Sequence, residues 1–576
     1  MKAYDPAFTP LQRFWRLLKP DQKEIVNVYV LAIFSGLINL SLPLGIQAII
    51  NLIQGGRMST SLVVLIAFVI SGVALTGILQ VFQLRITENL QQKIFTRAAF
   101  EFSFRLPRIK AEALYRHYAP ELMNRFFDTV SIQKGLSKIL IDFSTALLQG
   151  VFGLILLSFY HPFFIAFSIG LALLAYLIFA ATFRLGMKTS LEESAQKYQV
   201  AHWLEEVARN ISIFKMTRDS DLVLNRTNDL TEKYLRNREG HFKILLRQFS
   251  FMVFFKVLVA TGLLIIGSLL VMDQQMNIGQ FVAAEIIILL VMTSIEKLIM
   301  AMETIYDVLT SLEKVGQVTD LELEKLSGPN DLKADLGGPM AIDVSECSFK
   351  YPNNRQTTLK NISLSIKAGE KIMLTGHGDT GKSTLLKLIA GLFDPTDGSI
   401  AYNGLPTGNL NMKLLRARIG SYFHEDDIFE GTLLENIAMG REDVSFEDVQ
   451  WASKNVGLTE FIRQLPEGYN TLMDPEGRKL PKSIAQKLMV ARSIAHRPKL
   501  LLLKNPFRYL SFKESHDLND FLTDPKHGWT LIIASSDQQY AKVFDRIIYL
   551  KDGHLEAFGT YAELKNLLTE NPEDNA

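Results

Sequence analysis

The chain has 576 residues, with 61 basic and 60 acidic side chains and a net charge of +1. That length allows two or more domains, and the charge balance argues against a nucleic-acid partner, which would require a basic face. A single cysteine, Cys347, excludes an internal disulfide and leaves the redox compartment open.

Hydrophobic residues make up 48% of the chain, but they are concentrated in long apolar runs between residues 25 and 305. The first 24 residues carry Lys2, Arg13, Arg16, Lys19 and Lys23. A basic start before an apolar stretch also marks signal peptides. Here the stretch from Ile25 to Ile53 is too long for a signal core and offers no small-residue cleavage site, so it reads as a retained membrane helix. Six runs have the ~20 apolar residues needed to cross ~30 Å of hydrocarbon: 25–53, 60–84, 138–160, 163–186, 246–272 and 278–303. Six such helices buried in a soluble protein would leave little polar surface to cover them.

Three links between these runs are short: Gly55, Gly56 and Arg57; His161 and Pro162; and Asp273 to Asn277. The links between runs two and three, and between four and five, are long. They hold most of the basic residues, including Arg105, Arg108, Lys110, Lys215, Arg218 and Lys233. The positive-inside rule places both long links, the N-terminus and therefore the C-terminal half in the cytoplasm. Residues 86–105, 191–218 and 221–239 have apolar positions at helical spacing, so the span helices are expected to continue past the membrane. Lys256, Glu285 and Glu296 interrupt apolar sequence. Intramembrane charge usually faces a cavity or a partner, which makes Glu285 the leading candidate for a substrate cavity, whereas Lys256 has the alternative of snorkelling to an interface.

Residues 304–340 turn charged and then rich in turn formers (Ser327, Gly328, Pro329, Asn330; Gly337, Gly338, Pro339), as a linker does. The expected organisation is a cytoplasmic segment 1–24, a membrane domain 25–305, a linker 306–340, an α/β domain 341–568 and a tail 569–576.

After the short apolar strand Lys371–Thr375 come Gly376, His377, Gly378, Asp379, Thr380, Gly381, Lys382, Ser383 and Thr384, then a helix. G-x-x-x-x-G-K-S between a strand and a helix is a phosphate-binding loop. Its glycines let backbone N–H groups approach phosphate oxygens, and the helix N-terminus adds a positive dipole end. Lys382 reaches the β/γ-phosphates and Ser383 is the Mg²⁺ ligand. The alternative is a chance glycine-rich turn.

These features together resemble the exporter class of ABC transporters. Glu121–Phe126 is similar to the segment after that family's first coupling helix, and Ile278–Ala284 to the start of its sixth span. Ser348–Pro352 resembles its aromatic loop, which implies that Tyr351 stacks on adenine. In cassette order, Ile419–Glu425, Phe429–Thr432, Glu435–Ile437, Pro466–Tyr469, Ala491 with Arg492, Leu500–Leu503 and Asp545–Ile548 follow. The implied fold is a multi-domain membrane protein, an all-α six-helix transmembrane domain joined to an α/β P-loop NTPase domain, the ABC cassette. The implied cofactors are ATP and Mg²⁺. The nucleotide-binding residues carried over are Tyr351 and Gly376, His377, Gly378, Asp379, Thr380, Gly381, Lys382, Ser383 and Thr384, with Ser383 on the metal.

The chain departs from the family at its reactive positions. Glycine is usual where Asp379 stands, and a carboxylate there opposes phosphate. The signature Leu-Ser-Gly-Gly-Gln falls on Leu480, Pro481, Lys482, Ser483 and Ile484. Proline removes an N–H, and the side chains of Lys482 and Ser483 stand where glycine permits close approach. The Asp-Glu pair that holds Mg²⁺ and polarises water falls on Lys504 and Asn505. The glutamine becomes His424, the switch histidine Ser535, and the Ser-Ala-Leu-Asp loop Arg508–Ser511. Lys504 either neutralises phosphate in place of metal or is an ordinary paired lysine.

No catalytic residue is therefore assigned. The resemblance implies a transporter subunit that moves a substrate across the membrane with weak or absent hydrolysis. The alternative is a non-hydrolysing pseudo-ATPase subunit of a heterodimer, or a membrane scaffold. Implied partners are a second half-transporter (identical or different) and membrane lipid. Periplasmic adaptor and outer-membrane components join if the system is like type I secretion. The implied location is the bacterial inner membrane, with the N-terminus and cassette in the cytoplasm.

Overall fold

A computed structural model describes residues 8–54, 60–115, 117–217, 220–324, 338–378, 380–424 and 427–569. Lys2, Gly55, Gly56, Arg57, Arg218, Ser327, Gly328, Pro329, Asn330, Gly337 and Asp379 lie outside them, as do segments 1–7 and 570–576. The chain divides into two compact units. One comprises Met1–Pro107 and His117–Leu321, the other Arg108–Arg116 and Glu322–Ala576.

The first unit is helical: α1 (Pro10–Leu18), α2 (Gln22–Asn39), α3 (Ser41–Gln54) and α4 (Thr60–Arg105). The short α5 (Ala111–Leu114), which belongs to the second unit, separates these from α6 (Ala119–Asn124), α7 (Asp128–Lys138), α8 (Ser144–Ser158), α9 (Pro162–Arg209), α10 (Ile211–Met216), α11 (Leu222–Met272) and α12 (Ile278–Thr319). Among the described residues, six helical segments are long and apolar enough to span a membrane: Pro10–Gln54, Thr60–Arg108, Ala119–Ser158, Pro162–Arg209, Leu222–Met272 and Ile278–Thr319. This matches the six expected runs and their helical continuations.

Local chemistry sets the starts of these helices. At α12 the Asn277 side chain accepts from the Gln280 N–H at 2.7 Å and the Gln280 side chain accepts from the Asn277 N–H at 2.9 Å, a reciprocal cap. At α9, Pro162 occupies the first turn and the His161 ring accepts from the Phe163 N–H, where a missing proline N–H costs nothing.

Three expectations need correction. The first run is not one helix: it breaks at Leu40 between α2 and α3, because Pro43 cannot donate to the carbonyl of Asn39 four residues back. The stretch 191–218 is not one helix either, since α9 ends at Asn210 with φ −104° and ψ 27° before α10 starts. Residues 306–319, read as linker, continue α12 to Thr319.

The core of this unit packs α8, α9, α11 and α12 through Leu157, Phe164, Phe255, Val259, Ile287 and Val291. A second cluster joins α2, α4, α7 and α12 through Val28, Leu90, Leu136 and Val308. The expected intramembrane charges Lys256 and Glu296 are partners of one another, with Nζ to Oε2 at 2.6 Å between α11 and α12.

Among the described residues, the second unit holds three sheets, of six, four and two strands. Its strands are β1 (Ile342–Phe349), β2 (Leu359–Ile366), β3 (Lys371–Gly376), β4 (Asp397–Tyr402), β5 (Leu405–Pro406), β6 (Ile419–Tyr422), β7 (Gly431–Thr432), β8 (Leu472–Met473), β9 (Leu500–Lys504), β10 (Thr530–Ala534), β11 (Arg546–Lys551) and β12 (His554–Gly559). The central sheet runs β12-β11-β3-β10-β9-β6. It is parallel except for the β11–β12 pair. A four-stranded antiparallel sheet, β2-β1-β4-β5, carries the segment before the phosphate loop. Every residue of β3 and β10 is buried, as expected of parallel strands covered on both faces. Its helices are α13 (Lys382–Ile389), α14 (Met412–Ala417), α15 (Leu433–Ala438), α16 (Phe446–Asn455), α17 (Thr459–Gln464), α18 (Lys482–Ala495), α19 (Phe512–Thr523) and α20 (Tyr561–Thr569).

Candidate nucleotide site

In open α/β sheets, ligands bind beyond the carboxyl ends of the parallel strands, and the candidate residues lie at those ends. β3 delivers Gly376, and the loop turns into α13 at Lys382. Three glycines make the turn: φ is +145° at Gly376, +32° at Gly378 and +96° at Gly381. A Cβ at Gly376 would stand 2.1 Å from the Leu550 carbonyl oxygen, and one at Gly381 2.6 Å from Leu359, whereas a Cβ at Gly378 meets nothing within 4 Å. The first and last glycines are thus required by packing, while Gly378 borders open space.

That space is a cleft of about 1020 Å³ lined in part by Gly378, Gly381, Lys382, Ser383, Thr384 and Tyr351. Lys382 Nζ donates to the carbonyls of Gly376 at 2.6 Å and Gly378 at 2.9 Å, which holds its ammonium against the loop. Thr380 is buried, with its hydroxyl 3.4 Å from the same ammonium. His377 is half-buried on the loop.

The structure brings the expected residues of this loop together, and Tyr351 with them. The Tyr351 hydroxyl lies 3.0 Å from Thr384 Oγ1, and burial pushes its phenol above the ordinary range. Its ring is nevertheless not open: Tyr115 stacks on it, with ring centroids 4.8 Å apart and planes 25° from parallel. Nothing in the local sequence links Tyr115 to a motif so far downstream, so sequence reasoning missed it. The cleft also exposes the side chains of Asn354, Gln356 and Asn361, groups with donors and acceptors suited to a base edge or ribose.

These residues fit a nucleotide's phosphates. They do not fit the expected Mg²⁺. β9 ends on Lys504, an ammonium where the sequence reading expects a metal-holding carboxylate. Ser383 alone would remain as a ligand, whereas such sites usually add carboxylate. Lys504 bears instead on α13: the Lys387 ammonium is held below its ordinary range, first by burial and then by the charge of Lys504.

The other positions singled out in the sequence lie at strand ends, helix starts and the segment beyond β6. Asn505 adopts φ +47°, a left-handed conformation that asparagine tolerates. Its N–H donates to the Ala534 carbonyl at 2.7 Å and its carbonyl accepts from Gln486 Nε2 at 2.8 Å. Ser535 is buried; its N–H donates to the Leu374 carbonyl and its Oγ accepts from the Asp537 N–H, each at 3.0 Å. Pro481 caps α18 without a side-chain bond, and Lys482 is that helix's first residue. Ser511 caps α19 reciprocally with Glu514, and the Tyr509 N–H donates to Gln486 Oε1 at 3.0 Å. His424 is exposed beyond β6.

Comparison with known proteins agrees with this geometry. Residues 25–295 match the ABC transporter transmembrane region, and residues 359–508 match the ABC transporter family. The cyclolysin secretion/processing ATP-binding protein CyaB of Bordetella pertussis is 29% identical over 307 residues, 53% of this chain and 43% of that protein. The alpha-hemolysin translocation ATP-binding protein HlyB of Escherichia coli is 28% identical over 298 residues, 52% of this chain and 42% of that protein. The chain thus spans less than half the length of these secretion proteins. The ATP-binding/permease protein YgaD of Bacillus subtilis is 24% identical over 577 residues, 96% of this chain and 97% of that protein. A solved bacterial Atm1-family ABC exporter with ATP bound superposes with a TM-score of 0.81 at 19% identity, covering 95% of this chain and 96% of its own; the fold is shared along the chain.

Proposed function

We propose that this chain, which matches the ABC transporter transmembrane region and the ABC transporter family in one polypeptide, is an exporter half-transporter whose cassette holds a nucleotide without hydrolysing it at the rate of a working exporter. The observation that carries this reading is the end of β9. It presents Lys504 and Asn505 where the resemblance expects a metal-holding aspartate and a water-polarising glutamate. An ammonium opposes a cation, and an amide takes no proton. A positioned general base alone is worth ~10²–10⁴ in rate, and metal polarisation several kcal/mol more. The replacements at His424, Leu480–Ile484, Arg508–Ser511 and Ser535 support the same deficit.

The working unit is a dimer in which each nucleotide lies between two cassettes, and the protein moves a substrate across the bacterial inner membrane. The secretion proteins among its relatives support an extension to adaptor and outer-membrane partners. The functional divisions are the membrane domain 25–305 with its helical continuation to Thr319, and the cassette 341–568. A pairing with a hydrolysing half-transporter is favoured over a pure scaffold, because the phosphate loop keeps Lys382, Ser383 and glycine at 376, 378 and 381.

The test is phosphate release by the full chain in lipid nanodiscs, with the Lys382→Ala variant as background. The expected result is a wild-type rate at or only slightly above that background. Lys382-dependent release at the turnover of a working exporter overturns the reading.

A further inference from the structure

The aromatic surface of the cleft is not where the sequence alone puts it. Tyr351 is half-buried, hydroxyl-bonded to Thr384, flanked nearly perpendicularly by Phe349 and Phe393 at centroid distances of 4.9 and 5.5 Å, and covered on a face by Tyr115 at 4.8 Å. A base inserted between two rings needs twice the ~3.5–4.0 Å carbon contact distance, so nothing planar fits between Tyr115 and Tyr351. Tyr115, by contrast, is 55% exposed and lines the same cleft as Gly378, Lys382 and Ser383.

Its position is fixed by its neighbours in the second unit. Lys110 donates its N–H to the Glu322 carbonyl at 2.9 Å and its Nζ to the Glu322 carboxylate at 2.5 Å. Ile109 bridges Leu323. Glu112 Oε1 accepts from the Asp394 N–H at 2.8 Å. Ala111 packs on the hydrophobic cluster that also carries Tyr351. A ring held this firmly keeps one face against Tyr351 and presents the other to the cleft.

We propose that Tyr115 is the base platform of this site: the nucleotide base stacks on the exposed face of Tyr115, Tyr351 serves as its backing ring, and Lys382 and Ser383 take the phosphates. The inference rests on the reading that the cleft binds nucleotide. Stacking tolerates any base, since every base has a π-face, so the ligand class is a nucleoside triphosphate, with base choice left to the amides of Asn354, Gln356 and Asn361.

The test is titration of mant-ATP into the full chain in nanodiscs, for the wild type and the variants Tyr115→Ala, Tyr115→Trp and Lys382→Ala, with inorganic tripolyphosphate as a base-free competitor. Loss of one stacked base costs about tenfold or more in affinity, so Tyr115→Ala is expected to weaken mant-ATP by that factor and Tyr115→Trp to restore it. Tripolyphosphate competes equally with the wild type and Tyr115→Ala, and weakly with Lys382→Ala. Unchanged or tighter mant-ATP binding by Tyr115→Ala overturns the platform while leaving the cleft a nucleotide site. Equal weakening of tripolyphosphate also overturns it, since the loss then comes from a collapsed loop. A wild type that binds no mant-ATP overturns the nucleotide reading itself, and the platform with it.

Discussion

His496 follows α18 in the cassette, half-buried, and its imidazole is held down at about 4, first by burial and then by the neighbouring charge of Arg441. Asp443 and the Ile419 backbone pull it up, Arg418 pulls it further down, and burial wins. The ring is therefore neutral in the folded protein at pH values where an unfolded chain, with a histidine pKa of ~6.5, is charged. Between about pH 6.5 and pH 4 the unfolded chain binds the extra proton, so stability from this group is full above that window and falls as pH drops through it. The slope contributed is at most ~1.4 kcal/mol per pH unit. Urea unfolding of the cassette followed by tryptophan fluorescence from pH 7 to pH 5 should show stability falling with pH, and His496→Asn should flatten the slope. An equal slope in both proteins removes His496 from the account. This histidine was invisible in the sequence, because burial and two arginines brought in from elsewhere in the fold decide its charge. The phosphate loop was visible because its logic is local: three glycines, a lysine and a serine within one turn dictate both conformation and chemistry. Tyr115 meets Tyr351 through tertiary packing, and no spacing announces it.

At the level of elements, the long helices α9, α11 and α12 meet at a small-residue contact closed by a polar network. Gly186 on α9 faces the fully buried ring of Tyr306 on α12, and a Cβ there would stand 2.4 Å from the ring carbon Cζ. Gln248 on α11 donates Nε2 to Thr182 Oγ1 at 2.8 Å and to the Tyr306 hydroxyl at 3.0 Å. Close approach at a small residue, followed by interhelical hydrogen bonds, is how membrane helices associate without a hydrophobic drive between them. Gly186→Ala forces the aromatic ring or the helix to move and should lower the melting temperature of the detergent-solubilised protein. Tyr306→Phe only removes a hydroxyl and should cost about 0.6–2 kcal/mol, the smaller loss. A Gly186→Ala melting temperature at or above that of Tyr306→Phe contradicts this ordering. Apolar length made the six spans readable, but their interruptions were less so. Pro43 carried the signal for the break at Leu40, and a run read by mean hydropathy alone passes over it. Asn210, where α9 ends, carried only a weak propensity.

For the whole molecule, the sidedness of the spans follows from the distribution of charge in the links. Arg105, Arg108, Lys110, Lys215 and Lys233 lie in the two long links, whereas Asp273–Asn277 has no basic residue. Basic residues close to span ends are retained on the cytoplasmic side, so the charge pattern and the six spans among the described residues predict that the long links and the cassette share that side. The chain is well suited to a direct measurement, since its single cysteine, Cys347, is buried and burial raises its thiol to about 11. A thiol is reactive as the thiolate, so Cys347 contributes little background at neutral pH. Asp273 and Lys233 are both exposed side chains, and neither is in the cassette. In intact cells, Asp273→Cys should react with a membrane-impermeant maleimide, and Lys233→Cys should react only after the membrane is opened. Labelling of Lys233→Cys in intact cells would reverse the orientation. It would also place the phosphate loop away from the cytoplasmic nucleotide pool, leaving the Lys382 and Tyr115 chemistry without a ligand. The orientation therefore rests on one charge pattern read from the links, and with it the access of the phosphate loop to the cytoplasmic nucleotide pool.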